Sequence, residues 1–184
     1  MATPVHNGEH QHNRKCLSTF GLQSKEQEMS FKLSKKSLKR LEGVHPDIVA
    51  VVKRAIELTP IDFGVTCGLR DLKTQERLVR EKRSQTLKSK HLPQADGYSH
   101  AVDVVAYDSK GDICWEASVY DNICDAFALA CKELLVDMKW GAAWSEGSIR
   151  GYTVSAEEHM NRYIDLRRSE QRRPFIDCPH FQLC

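Results

Sequence analysis

The chain has 184 residues, 28% of them charged, with a formal net charge of +2. That length suits one catalytic domain that buries its own core, and so small a net charge argues against a nucleic-acid binder while allowing weak attraction to an anionic envelope. No stretch approaches the ~20 apolar residues of a membrane span, and the N-terminus lacks the apolar core of a secretory leader, so a soluble chain made in the cytoplasm is expected.

Residues 1–28 are polar, carry His6, His10 and His12, and have no sustained apolar period; they read as a solvated tail ahead of a domain over 29–184. Ser34 to Leu41 reads as a short helix closed by Gly43. Pro46 suits a first helical turn, and Ile48, Val49, Val52, Ile56 and Leu58 follow at helical spacing until Pro60. Phe63 to Cys67 reads as a short strand, and Thr74 to Arg83 as a charged helix. A polar loop over 84–98 leads into Ala101 to Tyr107, whose β-branched, apolar run predicts a buried strand. Asp108 to Gly111 is a turn. Tyr120, Ile123, Phe127, Ala130 and Leu134 share one face of a long helix. Val136 to Trp140 reads as a strand, Glu157 to Arg172 as an exposed helix, and Phe181 to Leu183 as a closing strand. The fold class is α+β, a small sheet covered by helices.

The seven cysteines are odd in number and contain no C-x-x-C pair, which argues against a cysteine zinc finger; disulfides are not expected in a reducing cytosol. Cys124 and Cys131 fall on the long helix's apolar pattern and read as small core residues.

Two polar segments in apolar context offer metal-ligand chemistry: Ser89-Lys90-His91 running on to His100 and Asp103, and Asp177-Cys178-Pro179-His180-Phe181. Side chains alternate along a strand, so His100 and Asp103 point to opposite faces and do not readily share one ion. His91, in the preceding loop, can reach the face of Asp103, and His180 opens a strand able to lie beside the first. A carboxylate in an apolar strand needs a partner, and a cation would meet that need; a structural histidine or aspartate satisfied by hydrogen bonds is the plainer alternative on pattern alone.

Ser89-x-His91, Gly97, Ala101-x-Asp103 and Pro179-His180-Phe181 resemble the Ser-x-His, Gly, Ala-x-Asp and Pro-His-Phe motifs of the LAS, or D-Ala-D-Ala, metallopeptidases. Within that group, Met29 to Leu33, Leu41 to Asp47, Val51 to Glu57, Gly68-Leu69-Arg70 and Trp140-Gly141 followed by Trp144 resemble the L-alanyl-D-glutamate endopeptidases that tailed phages use as endolysins. The resemblance covers Met29 to Leu183 and implies a small antiparallel sheet flanked by helices, LAS/hedgehog-like, with a zinc site at the sheet. By the same resemblance His91, Asp103 and His180 are the zinc ligands, His91 being preferred over His100. Asp177 is the catalytic carboxylate and Arg70 the substrate-polarising arginine. Gln75, Ser89 and Trp144 are substrate-side residues; Trp140, like Trp144, either walls the cleft or packs in the core.

The implied reaction is zinc-dependent hydrolysis of the L-Ala–D-Glu bond of peptidoglycan stem peptides for host lysis. It further implies a monomer that waits in the host cytoplasm for a holin and then acts on the wall in the periplasm. With the sequence closing just after His180, no separate wall-binding domain is expected, which would suit a thin Gram-negative wall. A D-Ala-D-Ala carboxypeptidase and a non-catalytic metal-binding module are the alternatives. This chain departs from the family in three places: eleven residues separate His91 from Asp103 where the family usually has fewer, Ala142 stands where a second glycine is common, and Cys178 precedes Pro179-His180. Cys178 leaves open a fourth ligand or a nucleophile beside its plainer role as a gap-filling core residue.

Overall fold

A computed structural model describes residues 30–184; the tail reading for residues 1–28, and Met29, lie outside the described residues. The elements run α1 (Lys35–Arg40), α2 (Pro46–Leu58), β1 (Phe63–Cys67), α3 (Leu72–Arg80), β2 (Ala101–Tyr107), β3 (Ile113–Cys114), α4 (Ala117–Leu134), β4 (Met138–Trp140), a 3-10 turn (Ile149–Gly151), α5 (Ala156–Ser169) and β5 (His180–Leu183). The fold is α+β with a small antiparallel sheet, as expected. None of the described helices is long and apolar enough to cross a membrane.

Local chemistry sets most boundaries. Ser34, Asp71 and Ser155 cap α1, α3 and α5 by accepting a backbone N–H of the first turn. The Asp71 cap moves the start of α3 ahead of Thr74, because Thr74 supplies the capped N–H, at 2.7 Å, rather than opening the helix. β3 was not expected; it is two residues long and exists through its pairing with β2 beyond the Asp108 to Gly111 turn. A two-residue strand has no period to read.

The sheet order is β1-β2-β5-β4, every pairing antiparallel. β3 joins the far end of β2 on the edge that β5 uses at its near end. α2 and α4 supply the cover: Ile48, Val51, Val52 and Ala55 meet Ile123, Cys124, Phe127 and Cys131 in one buried cluster with Val102 and Val104 of β2. Phe127 stacks on Phe181 with ring centres 4.0 Å apart, pinning β5 to α4. Cys124 and Cys131 are fully buried, in keeping with their reading as core residues.

The register decides what the sheet presents. Asp103 lies directly opposite Cys67 on one side and His180 on the other. Side chains directly opposite one another share a face, so Cys67, Asp103 and His180 form a row across three strands. Val102 and Val104 point the other way into the core.

Candidate active site

His91 reaches this row from the loop ahead of β2. Ser89 Oγ accepts the His91 backbone N–H at 3.2 Å, and Arg70 N–H donates to His91 C=O at 2.8 Å. His91 is buried. Its Nδ1 faces Gly68 C=O at 2.8 Å; a carbonyl only accepts, so Nδ1 carries the proton and Nε2 turns a lone pair inward. His180 does the same with its atoms exchanged. Its Nε2 donates to Gln182 Oε1 at 3.1 Å, leaving the Nδ1 lone pair facing inward.

These inward nitrogens converge. His91 Nε2 lies 3.1 Å from Asp103 Oδ1, His180 Nδ1 lies 2.9 Å from the same oxygen, and the two nitrogens are 3.3 Å apart. Two lone pairs and a carboxylate at such range repel unless a positive charge sits among them. A proton can supply it. Burial works against a charge on His91, yet hydrogen bonds to Asp103 and Cys67 outweigh it and push the imidazole up to about 10. Burial likewise opposes ionisation of Asp103, but hydrogen bonds from His180 and His91 hold its carboxyl far below the usual carboxylate range. A divalent metal supplies the charge better. Outer N–H groups tied to oxygen acceptors and inner lone pairs converging with a carboxylate are the pattern of metal-ligating imidazoles, so the donor set fits a metal.

Cys67 joins the cluster and was not expected in it: a sulfur, nitrogen and oxygen of Cys67, His91 and Asp103 lie within 4.8 Å of one another. Its sequence signal was its place at the end of β1, but only the register opposite Asp103 makes it a neighbour. Arg70 Nη2 donates to Cys67 Sγ at 3.2 Å. Gln182 was also missed; two residues beyond His180 on one strand, it shares the face of His180. Cys178, by contrast, is buried, its thiol pushed up to about 11 by burial, and its carbonyl accepts the Trp140 indole N–H at 2.8 Å. It is packed in the core, unsuited to act as a nucleophile.

Arg70 stands beside the donors, its Nη2 3.6 Å from Asp103 Oδ2. Its other nitrogen, Nη1, donates to Gln75 Oε1 at 2.7 Å. Gln75 is fully buried, and its amide donates to Ser84 Oγ and Thr86 C=O. The expectation that Gln75 contacts substrate is therefore corrected: it lies behind Arg70 and orients it. Of the two readings of Trp140, the structure takes core packing, because the ring is fully buried against Phe181. The Trp144 ring lies 5.5 Å from that of His180 and stacks on Phe175.

Asp177 enters through a close crossing of chains. Its N–H donates to Gly141 C=O at 2.9 Å, and Gly141 N–H donates to His180 C=O at 2.8 Å. A Cβ at Gly141 would run into the Asp177 carbonyl and sit 3.0 Å from His180 Cβ, so only glycine lets these segments touch. Asp177 feels the charges of His180, Asp103, His91 and Arg70, and burial raises its carboxyl above the usual range. His100 turns away from the donors toward Asp96, 2.7 Å from its Nε2.

An α+β domain that gathers two imidazoles and a carboxylate on one sheet face, with a second carboxylate and a guanidinium alongside, has the make-up of a metallopeptidase. The family model described as phage L-alanyl-D-glutamate peptidase matches residues 29–184, and the chain belongs to that family. It is 33% identical over 121 residues to the L-alanyl-D-glutamate peptidase of Escherichia phage T5, covering 64% of this chain and 84% of that protein. The crystal structure of the Serratia marcescens L-Ala D-Glu endopeptidase ChiX superposes with a TM-score of 0.61 at 32% identity, over 85% of this chain and 92% of that one.

Proposed function

We propose that this peptidase is a zinc enzyme that hydrolyses the L-Ala–D-Glu amide of peptidoglycan stem peptides, with His91, Asp103 and His180 as ligands. The observation that carries the ligand assignment is the single Asp103 oxygen between two imidazoles whose outer N–H groups are tied down. The choice of bond rests on the family. Three protein donors leave a coordination position for chemistry, and a zinc ion held there supplies a Lewis acid that polarises a carbonyl and lowers the pKa of water toward about 7.

The remaining work falls to the protein. Asp177, with its raised carboxyl pKa, takes the proton of the attacking water and returns it to the leaving amine. Arg70, held by Gln75, faces the carbonyl oxygen as negative charge develops on it. Trp144, beside His180, gives the stem peptide an apolar wall. Ser89 holds the turn that delivers His91 and flanks the cleft. The setting in keeping with this chemistry is phage lysis: a monomer stored in the host cytoplasm and admitted to the periplasm when a holin opens the inner membrane.

The test is digestion of purified Gram-negative peptidoglycan with product analysis. New amino-terminal D-Glu that vanishes with chelator and returns with zinc is the expected result. Release of terminal D-Ala would make the protein a carboxypeptidase, and metal binding without cleavage would make it a binding module. Asp177→Asn should abolish cleavage with metal retained, whereas Asp103→Ala should lose both. Expression with and without a holin tests the release step, and lysis without the holin would overturn it.

A further inference from the structure

A second cluster of metal-ligating side chains lies outside the catalytic row. His45, Asp96 and His100 each bring a ligand atom within 4.8 Å of the others. His100 Nε2 is 2.7 Å and His45 Nε2 3.7 Å from the same oxygen, Asp96 Oδ2. One carboxylate oxygen between two imidazole nitrogens is the arrangement that Asp103 makes with His91 and His180. Tetrahedral zinc places its nitrogen and oxygen donors about 3.3 Å apart at the usual bond lengths, so the His100–Asp96 pair has to open from 2.7 Å and the His45–Asp96 pair to close from 3.7 Å, shifts that small side-chain rotations supply.

The frame is built from backbone. His45 N–H donates to Ser99 C=O at 2.9 Å, Ser99 N–H to Gly43 C=O at 2.8 Å, and His100 N–H to Lys90 C=O at 2.8 Å. Asp96 Oδ1 accepts the Tyr98 N–H at 3.1 Å, which aims Oδ2 at the two rings. Tyr98 packs edge-on against His45, and the two histidine rings meet edge-on 5.2 Å apart. His45 is the N-cap of α2, Asp96 lies in the loop between His91 and β2, and His100 immediately precedes β2.

We infer that His45, Asp96 and His100 form a second divalent-metal site, of zinc-type donor chemistry, that clamps the loop between His91 and β2 to the start of α2. Two imidazoles and one carboxylate suit zinc or cobalt rather than calcium or magnesium. Binding requires His45 to release its Nε2 proton and carry one on Nδ1 instead. The Nδ1 contact with Asp47 N–H, 3.2 Å, is then replaced by a bond to the Asp47 carboxylate, whose Oδ2 is 3.7 Å away. Such a carboxylate behind a ligating imidazole strengthens the metal bond. The ordinary alternative is a surface His–Asp ion pair that binds nothing.

The test uses the full chain with His6, His10 and His12 replaced by alanine, so that the tail cannot take up metal. Equilibrium dialysis against buffered zinc, followed by elemental analysis, should give a second equivalent beyond the catalytic one. His45→Ala/His100→Ala should lose that equivalent and keep the other, and Asp103→Asn should do the reverse, which separates this site from the peptidase reading. Asp96→Asn retains the oxygen that accepts Tyr98 N–H, so the loop keeps its turn; it should weaken the second equivalent at least tenfold. Cobalt should give a second d–d absorption component that the same variants remove. Uptake of a single equivalent at saturating zinc, or a second equivalent indifferent to Asp96→Asn and to His45→Ala/His100→Ala, overturns the proposal.

Discussion

Arg70 donates to Gln75 at 2.7 Å, and Gln75, though polar, has no exposed surface. A fully buried glutamine whose amide group is matched by Arg70, Ser84 and Thr86 holds the guanidinium in one direction. Gln75→Ala should therefore lower kcat/KM about 10–100-fold, the usual cost of a displaced electrostatic group, while bound metal stays at the wild-type level. It should also cost about 1–3 kcal/mol of stability through the stranded buried partners. Steady-state kinetics beside elemental analysis checks this; lost metal would place Gln75 in a different role.

Gly141→Ala forces a methyl into the Asp177 carbonyl and His180 Cβ. Overpacking of this kind costs about 1–3 kcal/mol, and here the strain falls on the segment holding both the proposed proton carrier and a proposed ligand. Activity should fall further than stability, and zinc affinity should weaken with it. A metal competition assay on the folded variant reads the second effect, and unchanged affinity would show that the segment gives way elsewhere.

Metal uptake should release protons. In the metal-free protein the folded pKa of His91 is raised from 6.5 to about 10, so the imidazole carries a proton at neutral pH that a metal must displace. Calorimetry in buffers of different ionisation enthalpy should show proton release on zinc binding at pH 7–8. The same shift sets a stability trend. Because the folded pKa lies above the unfolded one, the contribution is complete below pH 6.5 and disappears as pH rises through 10. Chelated protein should accordingly lose stability to urea across that window, and Asp103→Asn should flatten the loss.

Asp121 offers a test remote from the donor cluster. It is buried on α4 with Oδ1 unpartnered, and burial, helped by Glu157 and Asp125, raises its carboxyl to about 6. The folded state thus prefers the protonated form: the benefit is complete below the ordinary aspartate value of 3.8 and is lost as pH rises through about 6. Asp121→Asn should stabilise the protein at pH 8 by on the order of 1–2 kcal/mol, allowing for partial solvation, and change little at pH 4. Equal effects at both pH values would show that ionisation is not the cause.

Much of the scaffold was legible because its signals are local. The apolar spacing of Ile48 to Ile56, the proline at 46 and the run Ala101 to Tyr107 announce α2 and β2 from neighbours in sequence. Alternation along β2 already separated His100 from Asp103, and His100 does face Asp96 instead. Cys67 was not legible as a neighbour of the donors, since it depends on a β1–β2 register that includes a bulge between Val65 and Cys67. The direction of Gln75 was equally hidden, because its place on α3 gives no sign of which side Arg70 occupies.

What the amino-acid order settles alone is the set of elements, their caps and the chemical types available for a metal and a proton transfer, all governed by residues a few positions apart. What only the folded chain decides is the row Cys67–Asp103–His180, the delivery of His91 to it from a loop, and the placing of Gln75 and Trp140 in the interior. Those outcomes follow from which strands lie side by side and which surfaces are covered, and such contacts join segments as distant as His91 and His180, for which no local period carries a signal.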